Sequence, residues 1–292
     1  MKEFWANKSV LITGSGGFVG SHLCRKLVKA GAKVVGLDRQ NLKQADLFGF
    51  VDGDITDSDM FSKVLDIYSP ATVFHLAAAG ASDPFLPEER AIMVNTIGTV
   101  NLLNAIQGNV KVVVARSPTE FNPNSSYAVS KAAGWGFCSM YSRTKGWPVV
   151  GAMIHQCYGP GQSSNNVLPA ALAALRDGVK FRLSPGEQVR DWVFVDDVAS
   201  GLMSVAQSDL EPAMTVDIGT GIGTKLREVV ETLYQLTGCN GYPSFGELPY
   251  RNAENMRVLA DAERTDTLIS WKATTMLEDG LRILIDSEAG NS

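Results

Sequence analysis

The stretch Thr13-Gly14-Ser15-Gly16-Gly17-Phe18-Val19-Gly20 constrains this chain more than any other. An apolar run, Val10-Leu11-Ile12, leads into it. Val19, Leu23 and Leu27 follow at helical spacing, and Gly31 is placed to stop that helix. Strand, glycine-rich turn and helix in this order are the context that a dinucleotide site requires. Gly14 permits the tight turn, Gly17 lets backbone approach a pyrophosphate, and Gly20 lets helix and strand pack closely. The helix N-terminus then offers unpaired N–H groups and a partial positive charge to phosphates. Three glycines could equally make a bare turn, so the reading rests on what lies downstream.

Further apolar runs follow at residues 33–38, 71–76, 110–114 and 148–152. Such continuous runs suit strands covered on both faces of a parallel sheet. Between them Met93, Ile97, Val100 and Leu103 recur at helical spacing. The alternation predicts right-handed βαβ units and an α/β fold built on a doubly wound parallel (Rossmann) sheet. After about Gly161, proline, glycine and mixed charge become denser. Residues 1–162 are therefore expected to form a dinucleotide-binding domain, and residues 163–292 mainly a smaller C-terminal substrate-binding lobe. Residues 190–220 are expected to return to the large domain. There, the strand Trp192-Val193-Phe194-Val195 and a helix through Val198, Leu202 and Val205 repeat its pattern. Asp217-Ile218-Gly219-Thr220-Gly221 reads as a strand-to-helix turn, not a second cofactor site. A cleft between lobes is a common small-molecule site.

Composition narrows the partners. The net charge of −5 speaks against nucleic acid, and no apolar run approaches the length that spans a bilayer. The segment Met1-Lys2-Glu3-Phe4-Trp5 carries an acid and lacks the apolar core of a signal peptide. Cys24, Cys138, Cys157 and Cys239 are scattered, as are His22, His75 and His155. Neither set has metal or redox spacing, so no metal is expected, and the cysteines read as reduced thiols of a cytoplasmic protein.

Three positions carry chemistry. Asp38 ends the second strand, at the distance beyond the glycines where an acid meets an adenosine ribose. A carboxylate there accepts the ribose hydroxyls and repels a 2′-phosphate, which favours NAD over NADP. Arg39 leaves the alternative open, because a guanidinium can pair with a 2′-phosphate, stack on adenine, or simply be solvated. Tyr127-Ala128-Val129-Ser130-Lys131 places a phenol and an ammonium four residues apart, on one helix face. The lysine charge is expected to lower the Tyr127 pKa, so that the phenol exchanges protons near neutrality. Ser117 lies just beyond the strand 110–114, at the carboxyl edge where open α/β sheets bind ligands. Its hydroxyl could share a substrate oxygen with Tyr127, or it could be an ordinary loop serine.

Together these residues resemble an extended short-chain dehydrogenase/reductase, in the NAD-dependent nucleotide-sugar epimerase/dehydratase group. The resemblance runs from about Lys8 to about Leu284. Thr13 to Gly20 is similar to the family's TGxxGFxG, and Asp54-Ile55 to the segment that contacts adenine. His75-Leu76-Ala77-Ala78 is similar to the strand end beneath the cofactor, and Asn95 with Gly98-Thr99-Val100-Asn101-Leu102-Leu103 to the NxxGTxNLL helix. Tyr127 and Lys131 match YxxxK, and Ser117 falls at the family's Ser/Thr position. Tyr158-Gly159-Pro160-Gly161-Gln162 and the stretch from Arg190 to Val198 match two further signatures.

The resemblance implies a set of roles. Gly14, Gly17, Phe18, Val19, Gly20, Asp38, Arg39, Asp54, Ile55, Leu76, Ala77, Ala78 and Asn95 would bind NAD, together with Tyr127 and Lys131. Arg190 and Arg251 would bind the diphosphate of a nucleotide sugar, or else form surface ion pairs. Glu254 completes an RxxE, and Asn165 and Asn166 begin the segment covering the nucleotide. Ser117, Tyr127 and Lys131 would be catalytic.

Family members associate as homodimers through the helices equivalent to residues 89–107 and the one starting near Tyr127, with Met140 and Tyr141 adding contact here. The implied activity is epimerisation, at C4, through a 4-keto intermediate. Its rivals are a 4-ketoreductase of a deoxysugar nucleotide using NAD(P)H and a non-catalytic nucleotide-sensing or scaffold protein. The complete Ser117, Tyr127 and Lys131 set speaks against the last.

Departures from the family pattern bear on substrate more than on fold. Only nine residues separate Ser117 from Tyr127, where the family has a longer loop forming part of the sugar-pocket wall. Pro118 and Thr119 stand where the 4,6-dehydratases carry an acidic pair. Met153 replaces a usual arginine, Gln156 a usual asparagine, and Arg116 intrudes where small polar residues are common.

Overall fold

The apolar runs become strands. In the computed structural model, which describes residues 2–40, 46–81, 83, 85–106, 110–239 and 241–289, these are β1 (Ser9–Thr13), β2 (Lys33–Asp38), β3 (Gly49–Asp52), β4 (Thr72–His75), β5 (Lys111–Arg116), β6 (Val149–Ile154), β7 (Gln156–Tyr158), β8 (Val189–Phe194), β9 (Thr215–Ile218), β10 (Gly223–Lys225) and β11 (Arg257–Val258). The helices are α1 (Lys2–Trp5), α2 (Phe18–Lys29), α3 (Ser58–Tyr68), α4 (Glu88–Ala91), α5 (Gly98–Ala105), α6 (Ser126–Lys145), α7 (Val167–Arg176), α8 (Val195–Gln207), α9 (Leu226–Thr237), α10 (Ala262–Ile269) and α11 (Leu277–Ala289). Met1, and Gln107 at the end of the helix expected over 89–107, lie outside the described residues.

Seven strands form one parallel sheet in the order β3-β2-β1-β4-β5-β6-β9. The register sets Val10 beside both Val34 and Thr72. Alternate side chains serve opposite faces, as the pleat requires. Val10, Ile12, Val34 and Val113 pack with Leu23 and Leu27 of α2 and with Val198, Leu202 and Val205 of α8. Leu11, Val35, Val73 and Val112 pack instead with Phe61 of α3, Leu102 of α5 and Cys138 of α6. Each fully buried aliphatic side chain contributes about 1.5–3 kcal/mol, so the two faces together hold the sheet between its helices. Gly31, with φ +88°, ends α2 and donates its N–H to the Val28 carbonyl.

The second sheet departs from the sequence reading. Residues 192–195 were expected to begin the chain's return to the large domain. Instead β8 is the centre of a four-stranded sheet, paired with β7, β10 and β11, and Val195 already begins α8. A short apolar run covered on both faces reads the same whichever sheet it joins. Trp192 and Phe194 enter the small-lobe core with Tyr158, Leu233 and Leu284, while Val193 between them enters the large-domain core. The chain does return afterwards: α8 packs on α2 and β9 pairs with β6. Residues 217–221 lead into β10 before α9 begins, so a strand intervenes where a direct turn into a helix was expected.

Two polar clusters join the parts. The buried Asp191 carboxylate accepts from Thr220 N, Thr220 Oγ1 and Gly221 N, each at 2.7 Å, and from Ala260 N at 3.2 Å. His22 of α2 places Nδ1 2.6 Å from Asp196 Oδ1 and Nε2 3.0 Å from the Pro160 carbonyl. That bond from His22 is the main reason the Asp196 carboxyl lies below the usual carboxylate range.

The helix stripe Met93, Ile97, Val100, Leu103 is also redistributed. Residues Ile92–Ile97 are π-helical, and the wider turn rotates the register. Met93 and Ile97 are therefore exposed while Val94, Leu102 and Leu103 are buried.

Replacing Asp191 with alanine would take the acceptor from four donors, of which the Ala260 N–H is buried, and a stranded buried donor costs about 1–3 kcal/mol. Asp191→Ala is thus expected to lower stability by about 1–3 kcal/mol, read from the midpoint of urea unfolding at unchanged slope.

Candidate active site

Strand order reverses between β1 and β4, and the carboxyl ends of strands at such a reversal open a crevice. The glycine-rich turn fills that position. Gly14 has φ +71°, and a Cβ there would lie 2.7 Å from Ala77 N; one on Gly20 would lie 2.0 Å from the Gly14 carbonyl oxygen. Both contacts are closer than any side chain tolerates. Gly17 is different: it is the exposed N-cap of α2, where a Cβ would meet only the Gly14 carbonyl oxygen, at 3.2 Å. No side chain caps α2 and its first turn holds no acid, so its N–H groups and partial charge are left for an anion. The residues present therefore fit a dinucleotide diphosphate. Phe18 and Val19 are partly buried against the small-lobe core.

Asp38 does more than the sequence reading assigned to it. Its Oδ2 accepts from Gly16 N at 2.8 Å and its Oδ1 from Arg39 N at 2.7 Å, so the carboxylate also anchors the turn. Arg39 is exposed. Asp54 accepts from Thr56 N at 2.9 Å and lies 3.6 Å from Arg90. Burial pushes the Asp54 carboxyl up, but these partners outweigh it and hold it below the usual value. Ile55 is buried beside it.

Beneath the turn runs a hydrogen-bond relay. The Ala77 N–H donates to Thr13 Oγ1 at 3.2 Å, and Thr13 Oγ1 lies 2.9 Å from His75 Nδ1. His75 Nε2 lies 3.1 Å from Thr99 Oγ1, which donates to the Asn95 carbonyl at 2.8 Å. Burial first, and Lys131 second, push the His75 pKa down to about 3. The ring is therefore neutral, and the direction of the chain assigns its proton to Nε2. Asn95 is buried, and its amide is taken by Ala79 N (2.8 Å), Ala79 O (2.9 Å) and Ser130 Oγ (2.9 Å). It holds the 76–79 loop, with Leu76, Ala77 and Ala78, against α6 from behind.

The structure brings Ser117, Tyr127 and Lys131 to this same edge. Ser117 follows β5 and caps a 3₁₀ turn, Pro118–Phe121. Tyr127 and Lys131 lie on the first turns of α6, which is capped by Ser125. Gly134 lets α6 approach the π-helical segment: a Cβ there would be 2.6 Å from the Asn95 carbonyl.

One expectation fails here. Lys131 donates to the Ala115 carbonyl at 2.6 Å, and the Tyr127 pKa is raised, not lowered. Burial, then the Glu120 charge, push the Tyr127 pKa up to about 12, with a hydrogen bond from Ser117 opposing them. Burial likewise holds Lys131 below its ordinary value, while Glu120 pulls it up.

The residues expected to bind substrate are only partly assembled. Arg190 and Glu254 form an ion pair, and Arg190 Nη1 also donates to the Val189 carbonyl. Arg251 is exposed, and among the described residues its side chain has no hydrogen bond or ion pair. Asn166 is the N-cap of α7 with Asn165 beside it, both near Ser163. The short segment after Ser117 crosses to the small lobe: Asn122 Nδ2 donates to Asn255 Oδ1 at 2.9 Å and Asn124 Nδ2 to the Ala253 carbonyl at 3.1 Å.

Sequence reasoning missed Glu120, although Ser117-Pro118-Thr119-Glu120 has the spacing of a capping box. Both reciprocal bonds of that box are present. Among the described residues, no group of three or more His, Cys, Asp or Glu could hold a metal.

Comparison with known proteins follows this geometry. The model of the NAD dependent epimerase/dehydratase family matches residues 10–219. A UDP-glucose 4-epimerase of Mycolicibacterium smegmatis is 31% identical, over 93% of this chain and 95% of its own. A dTDP-glucose 4,6-dehydratase of Xanthomonas campestris is 26% identical, over 94% and 92%. Among solved structures, MoeE5 in complex with UDP-glucose and NAD superposes with a TM-score of 0.88 at 27% identity, covering 97% of this chain and 99% of that one.

Calorimetric titration of both cofactors is expected to show NAD binding at least tenfold more tightly than NADP, about 1.4 kcal/mol. Asp38→Ala is expected to weaken NAD, because the Gly16 anchor is lost with the ribose acceptor, and to narrow the gap. Equal or tighter NADP binding by the unaltered protein would overturn the assignment to Asp38.

Proposed function

The chain belongs to the NAD dependent epimerase/dehydratase family, and we propose that within it the protein is an epimerase of a nucleotide-diphosphate sugar, acting at C4 through a transient 4-keto intermediate. The observation that carries this reading is the turn Pro118–Phe121 beside Tyr127. Ser117, Tyr127 and Lys131 lie at one edge of the sheet, which supports an oxidoreductive step, yet Pro118 and Thr119 offer no acid–base pair for eliminating water. The nearby Glu120 carboxylate is already engaged, by Arg116 and by Ser117 N.

Gly14, Gly17, Gly20 and Asp38 would hold NAD, which when bound supplies the acceptor and donor of the C4 hydride. Tyr127 removes the C4 hydroxyl proton and returns it after the ketone has turned over. Ser117 orients the reacting oxygen from the mouth of its turn. Lys131 provides positive charge within the same buried cluster. Arg251, exposed and unengaged, is the readier partner for a diphosphate, whereas Arg190 must share its charge with Glu254.

A 4-ketoreductase is the second reading, and one observation favours it. A phenol held protonated is the form that gives a proton to a ketone.

The same reading includes a homodimer. Ile92, Met93 and Ile97 on the helical stretch 88–105 and Val129, Phe137 and Met140 on α6 are all exposed, and these helices are neighbours. Adjacent exposed apolar side chains of this kind mark an association surface. Tyr141 does not join them: it is buried against Trp147. No helix among the described residues is long and apolar enough to cross a membrane. The four free cysteines suit a cytoplasmic setting.

Incubation with UDP-glucose, followed by NMR of the anomeric proton, is expected to give the C4 epimer without added NADH. Turnover that requires a supply of reduced cofactor and a 4-keto sugar would favour the reductase. Tyr127→Phe is expected to fold and bind NAD normally while losing at least about 10²-fold in turnover. Light scattering at micromolar concentration is expected to give the mass of a dimer, and a monomer would reject the association surface.

A further inference from the structure

Arg116 and Glu120 take no part in the chemistry proposed above, yet they form a built site within it. Their side chains are 10% and 1% exposed. Glu120 Oε2 accepts from Arg116 Nε at 2.9 Å and from Nη2 at 2.8 Å, while Oε1 accepts from Ser117 N at 2.8 Å. The guanidinium is itself fixed: Nη1 donates to Thr215 Oγ1 at 2.9 Å, and Cζ lies 4.4 Å from the centre of the Trp135 ring. Two guanidinium N–H groups thus converge on one carboxylate oxygen while the other holds the Ser117 backbone, and such charge-assisted bonds are stronger than neutral ones. Burying one is costly, and an apolar pair would serve stability as well or better.

We propose that Glu120 is a positioning residue for the reaction, with Arg116 as its clamp: the buried carboxylate grips the backbone of Ser117 and stands as a fixed negative charge beside Tyr127 and Lys131. The inference rests on the assignment of Ser117, Tyr127 and Lys131 as the reacting set. It accounts for two departures at once. The short segment between Ser117 and Tyr127 has no long loop to brace the serine, and the pair braces it from below. Arg116, an intruder in the sequence pattern, becomes the counter-charge without which Glu120 could not be buried.

The charged and titratable groups facing Glu120 are Arg116 from β5 and Tyr127, Lys131 and Cys138 from α6. Burial pushes the Cys138 thiol up to about 12, so it stays neutral. A negative charge opposes phenolate formation and favours the ammonium. Removing it therefore makes the Tyr127 phenol easier to ionise. Glu120 thus adds to the effect of burial in keeping the phenol protonated.

The experiment separates grip from charge. Glu120→Gln keeps an acceptor for Ser117 N and removes the charge, whereas Glu120→Ala removes both. Ultraviolet difference titration of the NAD-loaded protein, with the Tyr127→Phe variant subtracted in each background, reports Tyr127 alone. Its midpoint is expected to fall by roughly one pH unit in Glu120→Gln, and an unchanged midpoint would overturn the electrostatic role. In turnover, Glu120→Ala is expected to lose about 10²-fold in kcat relative to Glu120→Gln with KM little changed. Equal kcat values for the two would overturn the grip on Ser117. If Glu120→Gln does not fold, Arg116→Met combined with Glu120→Gln removes both charges and is titrated instead. An unaltered protein that turns over no nucleotide sugar would sink the functional reading, while the titration would still decide the role of Glu120.

Discussion

Everything at the cleft depends on one neutral imidazole. His75 ends β4, the strand beside β1 where the sheet changes direction, and it joins Thr13 of β1 to Thr99 of α5. Through Thr13 it reaches Ala77, whose backbone lies against Gly14. Through Thr99 it reaches Asn95, which holds Ala79 and Ser130. The glycine turn, the 76–79 loop and the helix bearing Tyr127 are thus placed by one chain of bonds. Charging that ring would add a proton at Nδ1 and set it against the Thr13 hydroxyl, so burial, which keeps the ring neutral, keeps the site assembled.

Electrostatics near Tyr127 follows from the same economy of space. Lys131 is buried, and its ammonium takes the nearest carbonyl, Ala115. Burial raises the phenol's pKa most, the buried carboxylate of Glu120 adds to it, and the Ser117 hydroxyl works against both. The acid–base poise of the cluster is therefore set from the 3₁₀ turn as much as from the helix. A family signature that names only serine, tyrosine and lysine does not include that turn.

The glycine turn and the large sheet were legible because they rest on local requirements. Gly14 and Gly20 meet backbone that no side chain could approach, and runs such as Val34-Val35-Gly36-Leu37 suit only a doubly covered strand. The destination of β8 was not legible, since burial on both faces gives the same pattern in either sheet. The π-helical segment was hidden too: one widened turn moves Met93 and Ile97 from the expected core to the surface. Glu120 was visible as the last letter of a capping box. Its electrostatic weight was not, because that depends on burial and on where the Lys131 and Arg116 side chains come to rest. The Arg190–Glu254 pair was hidden for a related reason, as it joins residues 64 positions apart.

The alternation along β8 reaches beyond architecture. Trp192 and Phe194 belong to one core and Val193 to the other, and Asp191 before them gathers the backbone of two further segments, at Thr220–Gly221 and at Ala260. A strand shared in this way leaves no seam between the lobes. A cut within β8 would remove side chains from both interiors, so the two halves are expected to unfold together. In evolutionary terms, such a protein can change its substrate only by altering loops and single side chains at the cleft mouth, as at Asn122, Asn124 and the residues they touch, and not by trading modules.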